Sequence, residues 1–513
     1  MNKLLVFFTG MMLFLFIQQV PVQAQPQDPF ALHYWLNPMG VNYTLSAPST
    51  TNGEWIAAAP RNERLSPVGV VPIVYASRKN TVAVFRMSNA GYTLLPNPDD
   101  VKVFGVNAGG IFNQEVDFEV HCVVQSCNRD TNYILCGAIS LSEDHNPVGM
   151  VAVLDTRLEL VNLRYYEAVK TFYSVYAQDG FYFVCGQMQD STAIVLRDSI
   201  PSRILQNNIT AFYTRNQPNW AFHKIAVRKA PGYQLPCSFE FSVSGARETG
   251  DSPQIGWAVF QMNLGFFTFS NAAYSFTPNH GLNSRVTIAN YPSNAPLSTT
   301  QGLLLSASDG NKIFTYVFND NQQQVMNGAF RIPNWYGVLT DMARGGNEVA
   351  WVGNRGTTPT SQRADYIRTN IPYPYPSSPP TYVPPTAQYI IFTPVNQPPA
   401  AYYALHKVHY NDGDGRFHAG GYYNGRDENG NCNRAVFAVT PEQVWEDNRC
   451  TERKEINFEN EAVRQLEPIA VARVYIQANM LPKLTKTYGF CTMECEKKWD
   501  SDCGNIKKDE RKK

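Results

Sequence analysis

Tyr133-Ile134-Leu135-Cys136-Gly137, then a polar gap, then Met150-Val151-Ala152-Val153-Leu154 is the stretch from which the fold is read. Two short apolar runs, the first closed by glycine and both bounded by polar turn residues, read as neighbouring β-strands. The same pair recurs as Phe181–Gly186 with Ala193–Leu196, Phe239–Gly245 with Trp257–Phe260, and Leu303–Ala307 with Ile313–Phe318. Val349–Gly353 continues the series, Phe417–Gly421 pairs with Ala435–Val439, and a degenerate first copy is Pro72–Ala76 with Val82–Phe85. Seven copies result. From Gly137 to Gly420 the mean repeat is about 57 residues, near the upper end of β-propeller blade periods and far above any β-helix period.

Each repeat also carries an incoming strand, such as Phe118–Val124 or Thr171–Tyr176, and an outgoing one, such as Leu160–Tyr165. Four strands per repeat make one blade, so the predicted class is all-β, a single β-propeller of about seven four-stranded blades. The recurring glycine fits that reading, because strands crowd toward a propeller axis and a residue without a side chain lets backbones approach. A β-sandwich with chance glycine positions is the competing architecture. Composition agrees with either: 28 Tyr, 29 Phe, 34 Gly and 34 Pro against only 17% charged residues exclude an all-helical chain.

The order of incoming strand, polar turn, Tyr133–Gly137, gap and Val151-Ala152-Val153-Leu154-Asp155 resembles the repeat of secreted bacterial β-propellers. The resemblance covers residues 70–440 and implies a fold, not an activity. Asp190-Ser191-Thr192 and Asp198-Ser199-Ile200 likewise look like the Asp-Ser/Thr-apolar triplets at which some exported bacterial proteins are O-glycosylated.

Met1-Asn2-Lys3, the apolar run Leu4–Ile17 and Val22-Gln23-Ala24 form a signal peptide over residues 1–24, with the mature chain beginning at Gln25. Residues 25–52 read as an N-terminal lead-in, 53–478 as the propeller and 479–513 as a charged, Cys-containing tail. Ile469–Ile476 is strand-like and is expected to return and complete the first blade. Ten prolines fall within 371–399, so this insertion is extended backbone that must leave the blade over residues 371–386. Tyr373, Tyr375 and Tyr382 are spaced among those prolines as a partner-binding element, or else the segment is a rigid spacer.

Export places all ten cysteines in an oxidising compartment. A three-residue turn at Thr440-Pro441-Glu442 would set Val439 opposite Gln443 and Cys432 opposite Cys450, within reach of a disulfide. Cys491, Cys495 and Cys503 have no His at zinc-ligand spacing, which favours mixed disulfides over structural zinc. Cys136 and Cys185 hold equivalent places in adjacent blades and read as buried thiols.

A two-residue loop at Gly413-Asp414 places His409 opposite His418 on one face of a hairpin. With Asp412 and Asp414 the pair would make a calcium or transition-metal site; the same residues also make an ordinary polar turn. No other cofactor is implied.

With 43 basic and 43 acidic residues the net charge is zero, so no nucleic-acid footprint exists, and no segment after signal cleavage is long and apolar enough to span a membrane. Gly-x-Ser-x-Gly, His-Glu-x-x-His, P-loop and dinucleotide motifs are all absent. The expected function is therefore an exported, non-catalytic propeller in the periplasm, on the outer surface or secreted, binding a protein or glycan partner. A glycan-active enzyme would instead gather carboxylates, His and Tyr at one channel mouth, with two carboxyl groups about 5 to 9 Å apart. A structural subunit of a surface assembly is the third possibility.

Overall fold

A computed structural model describes thirty-four strands and their nearest turns between residues 32 and 484; residues 1–31, 371–386, 440–450 and 485–513 are among those outside the described set. The strands form seven antiparallel sheets. Blade 1 is β2 (Thr44–Ser49), β3 (Glu54–Arg61), β4 (Thr81–Ser88) and β5 (Val101–Val106); blade 2 is β6 (Asp117–Gln125), β7 (Tyr133–Ser140), β8 (Val148–Leu154) and β9 (Leu160–Tyr166). Blade 3 is β10 (Val169–Gln178), β11 (Phe181–Met188), β12 (Ala193–Ser199) and β13 (Thr210–Thr214). Blade 4 is β14 (Trp220–Arg228), β15 (Phe239–Arg247), β16 (Gln254–Asn263) and β17 (Phe266–Phe276). Blade 5 is β18 (Thr287–Tyr291), β19 (Gly302–Ser308), β20 (Ile313–Phe318) and β21 (Gln324–Ile332). Blade 6 is β22 (Gly337–Gly345), β23 (Glu348–Arg355), β24 (Arg363–Asn370) and β25 (Ala387–Phe392). Blade 7 is β26 (Tyr402–Asn411), β27 (Arg416–Arg426) and β28 (Cys432–Val439), and its fourth strand is the chain's first, β1 (Leu32–Trp35).

The first strands β2, β6, β10, β14, β18, β22 and β26 each pack against the next, and β26 packs against β2. That closed cycle is a ring of seven blades around a central channel. Apolar cores lie between neighbouring blades, as in the cluster of Phe183, Phe222, Phe241 and Phe260 between blades 3 and 4.

Blades 2 and 3 are also pinned by a buried polar network. Arg164 on β9 donates to Asp198 Oδ2 on β12, and that oxygen also accepts from the hydroxyls of Tyr166 at 2.8 Å and Tyr182 at 3.0 Å. Asp198 is fully buried. One of the two glycosylation-like triplets is thus built around a structural carboxylate. Burial, followed by the charge and hydroxyl neighbours, pushes both tyrosines well above the usual phenol range.

Ring closure differs from expectation. Ile469–Ile476 does not complete the first blade; Leu32–Trp35 of the lead-in completes the last one, pairing Leu32 with Ala438 and Trp35 with Ala435. The lead-in also supplies β2, so the ring begins earlier than residue 53. In blade 1 the partner of β4 is Glu54–Arg61, while 72–76 lies outside the described residues. In blade 6 the second strand of the pattern follows directly as β24, and residues 371–386 form the connection between β24 and β25.

The segment after residue 450 is a belt. β29 (Thr451–Ile456), β30 (Glu459–Asn460), β31 (Glu467–Pro468), β32 (Val471–Val474), β33 (Asn479–Met480) and β34 (Lys483–Leu484) add a fifth strand to blades 6, 5, 4, 3, 2 and 1 in that order. Thr451–Leu484 fully extended spans about 110 to 120 Å. The belt is sealed by apolar side chains that enter successive inter-blade cores: Leu466 between blades 4 and 5, Ile469 between 3 and 4, Ile476 between 2 and 3, and Leu481 between 1 and 2. Tyr475, between those anchors, is 81% exposed.

Candidate functional site

The site is built by a repeated local irregularity. In five first strands the ladder skips one residue: His121 in β6, Tyr173 in β10, His223 in β14, Thr340 in β22 and His406 in β26. Each skipped residue is a β-bulge, and each lies across from a second-strand glycine: Gly137, Gly186, Gly245, Gly353 and Gly421. A Cβ added to Gly137, Gly186, Gly245 or Gly421 would fall 1.8 to 2.1 Å from the carbonyl oxygen of Glu119, Thr171, Ala221 or Ala404. The bulge drives the first strand onto its neighbour there, and only glycine admits the approach. In blade 7 the residue concerned is Gly421 rather than Gly420.

These bulges stack side chains in levels along the channel. At the outer level, where the first strands begin, stand Glu119, which is 61% exposed as a side chain, and the exposed Arg285. Below them the ring of His121 lies 5.1 Å from that of Tyr173, which meets His223 edge-on at 5.4 Å. The Arg285 guanidinium sits 4.2 Å over the Tyr173 ring, a cation–π contact across blades 3 and 5. The third level holds Cys122, Ser174, Lys224, Thr287, Asp341 and Lys407, each the residue where pairing resumes or, in blade 5, begins.

At that third level side chains of different blades meet across the ring's centre. Lys224 of blade 4 reaches Asp341 of blade 6 and donates also to the Met342 carbonyl. Asp341 Oδ2 accepts from the Val408 amide of blade 7 at 3.2 Å, and Oδ1 lies 3.4 Å from the Thr287 hydroxyl of blade 5. Four blades thus converge on one carboxylate. Burial pulls the Lys224 ammonium below its usual range, and Asp341 opposes that pull.

His121 and His223, above that level, are neutral. Burial, reinforced by Arg285, lowers His223 to about 3, and its Nδ1 accepts the Val286 amide at 3.0 Å, which leaves the proton on Nε2. His121 is held well below its usual value by burial, then by Arg285 and Lys407. Its Nε2 lies 3.2 Å from Glu119 Oε1, and with a neutral ring that contact is not an ion pair. Among the described residues no carboxylate pairs with Arg285 or Lys407.

The residues expected from sequence fall elsewhere. His409 does oppose His418, with the rings stacked at 5.6 Å, and burial and then His418 hold His409 neutral. Asp412 and Asp414 lie outside the described residues, and no group of three or more His, Cys, Asp or Glu comes together among those described. β1 pairs with β28 at Ala435–Ala438, and the turn and second strand behind the Cys432–Cys450 pairing fall outside the described residues. Cys450 itself lies outside the described residues, as do Tyr373, Tyr375 and Tyr382. Cys136 and Cys185 are buried free thiols.

The channel residues had a readable signal. Val120-His121-Cys122, Phe172-Tyr173-Ser174, Phe222-His223-Lys224, Leu339-Thr340-Asp341 and Leu405-His406-Lys407 each place two residues outside the apolar core in succession. That breaks the period of two, as a bulge does.

No family model and no curated protein matches the chain. Among solved structures, the subtype N11 neuraminidase-like protein of A/flat-faced bat/Peru (H18N11) is 8% identical with a TM-score of 0.34, covering 81% of this chain and 94% of its own. The Nup133 β-propeller domain of Vanderwaltozyma polyspora is 9% identical with a TM-score of 0.29, covering 61% and 97%. A DUF4221 member from Bacteroides vulgatus is 9% identical with a TM-score of 0.25, covering 83% and 99%. Likenesses this distant carry nothing about ligand or chemistry. The propeller rests on the seven sheets and their cyclic packing. Among the described residues no helix is long and apolar enough to cross a membrane.

Proposed function

We propose that the chain is an exported β-propeller that binds a protein or glycan partner at the bacterial cell envelope or surface without transforming it. The observation that carries this reading is the channel mouth, where the rings of His121, Tyr173 and His223 and the exposed Arg285 stand above the level bridged by Lys224 and Asp341. Asp341, the carboxylate of the floor, is committed to Lys224 and to the Val408 amide. His223, at about 3, is too weak a base to relay protons near neutral pH. What remains is a recognition surface.

The test is retention. Mature protein, residues 25–513, is immobilised and exposed to envelope extracts and glycans of its native host; saturable retention of one component without new reducing ends is the expected result. Release of reducing ends, or no retention from any fraction, overturns the proposal. Turnover of a bound glycan has one observation in its favour, the juxtaposition of Glu119 with His121, and the same samples decide it.

A further inference from the structure

We infer that the channel mouth takes a monocarboxylated sugar residue of an acidic glycan, with the carboxylate held between Arg285 and Lys407. The inference rests on the proposal above and deepens it to a ligand class.

Charge points to an anion. Arg285, Lys224 and Lys407 face the mouth and floor, and Asp341 neutralises Lys224 alone. Arg285 is exposed and oriented by the Tyr173 ring, so its guanidinium edge keeps its donors for a planar acceptor such as a carboxylate. Lys407 stands two levels deeper, and among the described residues no carboxylate pairs with it.

The other groups point to a sugar rather than an acidic peptide. The neutral ring of His121 turns its Nε2–H to Glu119, and the exposed Glu119 keeps further acceptor sites for hydroxyl donors. Glu119, beside His121, accepts from a hydroxyl but repels a second carboxylate. A run of Asp or Glu meets that repulsion; a ring with one carboxylate and several hydroxyls does not. The partly exposed Tyr173 ring, flanked by the rings of His121 and His223, gives the sugar an aromatic side to pack against.

The experiment titrates full-length mature protein with polygalacturonate, with its methyl-esterified form and with polyglutamate, by calorimetry at fixed ionic strength. Polygalacturonate should bind and the methyl ester should bind at least tenfold more weakly. Arg285→Gln and Lys407→Gln should each weaken polygalacturonate binding about tenfold with an unchanged melting curve. Glu119→Gln should strengthen it, and Arg157→Gln, on an exposed turn of blade 2, should leave it unchanged. Equal binding of acid and ester overturns carboxylate recognition while leaving a glycan-binding propeller. Tighter binding of polyglutamate, lost in Arg285→Gln, overturns the sugar assignment in favour of an acidic peptide. Binding of none of the three probes by protein that retains a host component overturns the inference and leaves the broader proposal standing.

Discussion

Replacing Gly186 with alanine tests the link between the repeat seen in sequence and the channel it builds. The new Cβ would fall 1.9 Å from the Thr171 carbonyl oxygen and 2.9 Å from Phe172 Cα. Both are backbone, so relief requires β10 to move by about 1.5 Å to reach ordinary contact, and that motion unmakes the bulge at Tyr173. Overpacking of a core costs about 1 to 3 kcal/mol, and a clash with backbone belongs at the upper end, about 3 kcal/mol. Gly180 is the control: its φ of +77° strains an alanine, but nothing lies within 4 Å of the added atom. That substitution should cost about 1 kcal/mol, the ordinary left-handed penalty. Urea unfolding followed by tryptophan fluorescence ranks the two, and Gly186→Ala should also weaken ligand binding at the mouth. If Gly180→Ala proves as costly as Gly186→Ala, glycine there does not answer to the bulge and the reasoning fails.

Four further outcomes are expected. Asp198→Asn leaves Arg164 charged and buried without its partner and should cost about 3 to 5 kcal/mol in chemical denaturation; a loss below about 1 kcal/mol would show the network to be dispensable. Ile476→Ala empties the outer end of the core between blades 2 and 3 and should cost about 2 to 5 kcal/mol, whereas Tyr475→Ala on the exposed face should be nearly neutral by the same assay. Stability should be full above about pH 6.5 and fall as pH drops toward about 3, because the unfolded chain then takes up protons that His223, His121 and His409 refuse in the fold; denaturation midpoints flat across that window would contradict the buried neutral imidazoles. Replacing residues 373–385 by a short Gly/Ser linker should leave the thermal midpoint unchanged, since the segment joins β24 to β25 beyond their ladder, and should weaken partner binding if its tyrosines are a recognition element.

Blade number and strand order were legible because a strand pair closed by glycine is a local signal repeated at nearly constant spacing. Ring closure was not. Leu32–Trp35 and Ile469–Ile476 are both short apolar runs at a chain end, and which of them pairs with β28 depends on an edge some 400 residues away in sequence. The belt was illegible for a related reason. Its strands are two to six residues long, and its anchors at Leu466, Ile469, Ile476 and Leu481 follow the gaps between blades rather than any strand or helix period. The His409 and His418 register was readable from one turn, yet the pair lies apart from the mouth. The mouth itself is assembled from blades 2, 3, 4, 5 and 7, and only the doubled positions in the first strands of blades 2, 3, 4 and 7 announce it.

Glycine and bulge divide the labour at the ring's centre. Glycine is dictated by backbone contact and leaves no choice of side chain, whereas the residue in the bulge is freed from pairing and can be His, Tyr or Thr at similar cost. Recognition can therefore vary at level two without disturbing the blades. Blade 5 supplies an exception that supports this division. Its first strand pairs Thr287 with Ser306 without a skipped residue, and Ala307 stands where blades 2, 3, 4, 6 and 7 have glycine. Lacking a bulge, it has no side chain to turn inward at that level, and the exposed cation of the mouth comes instead from Arg285, just before the strand, reaching across to Tyr173. A blade that breaks the repeat thus supplies the mouth's exposed cation.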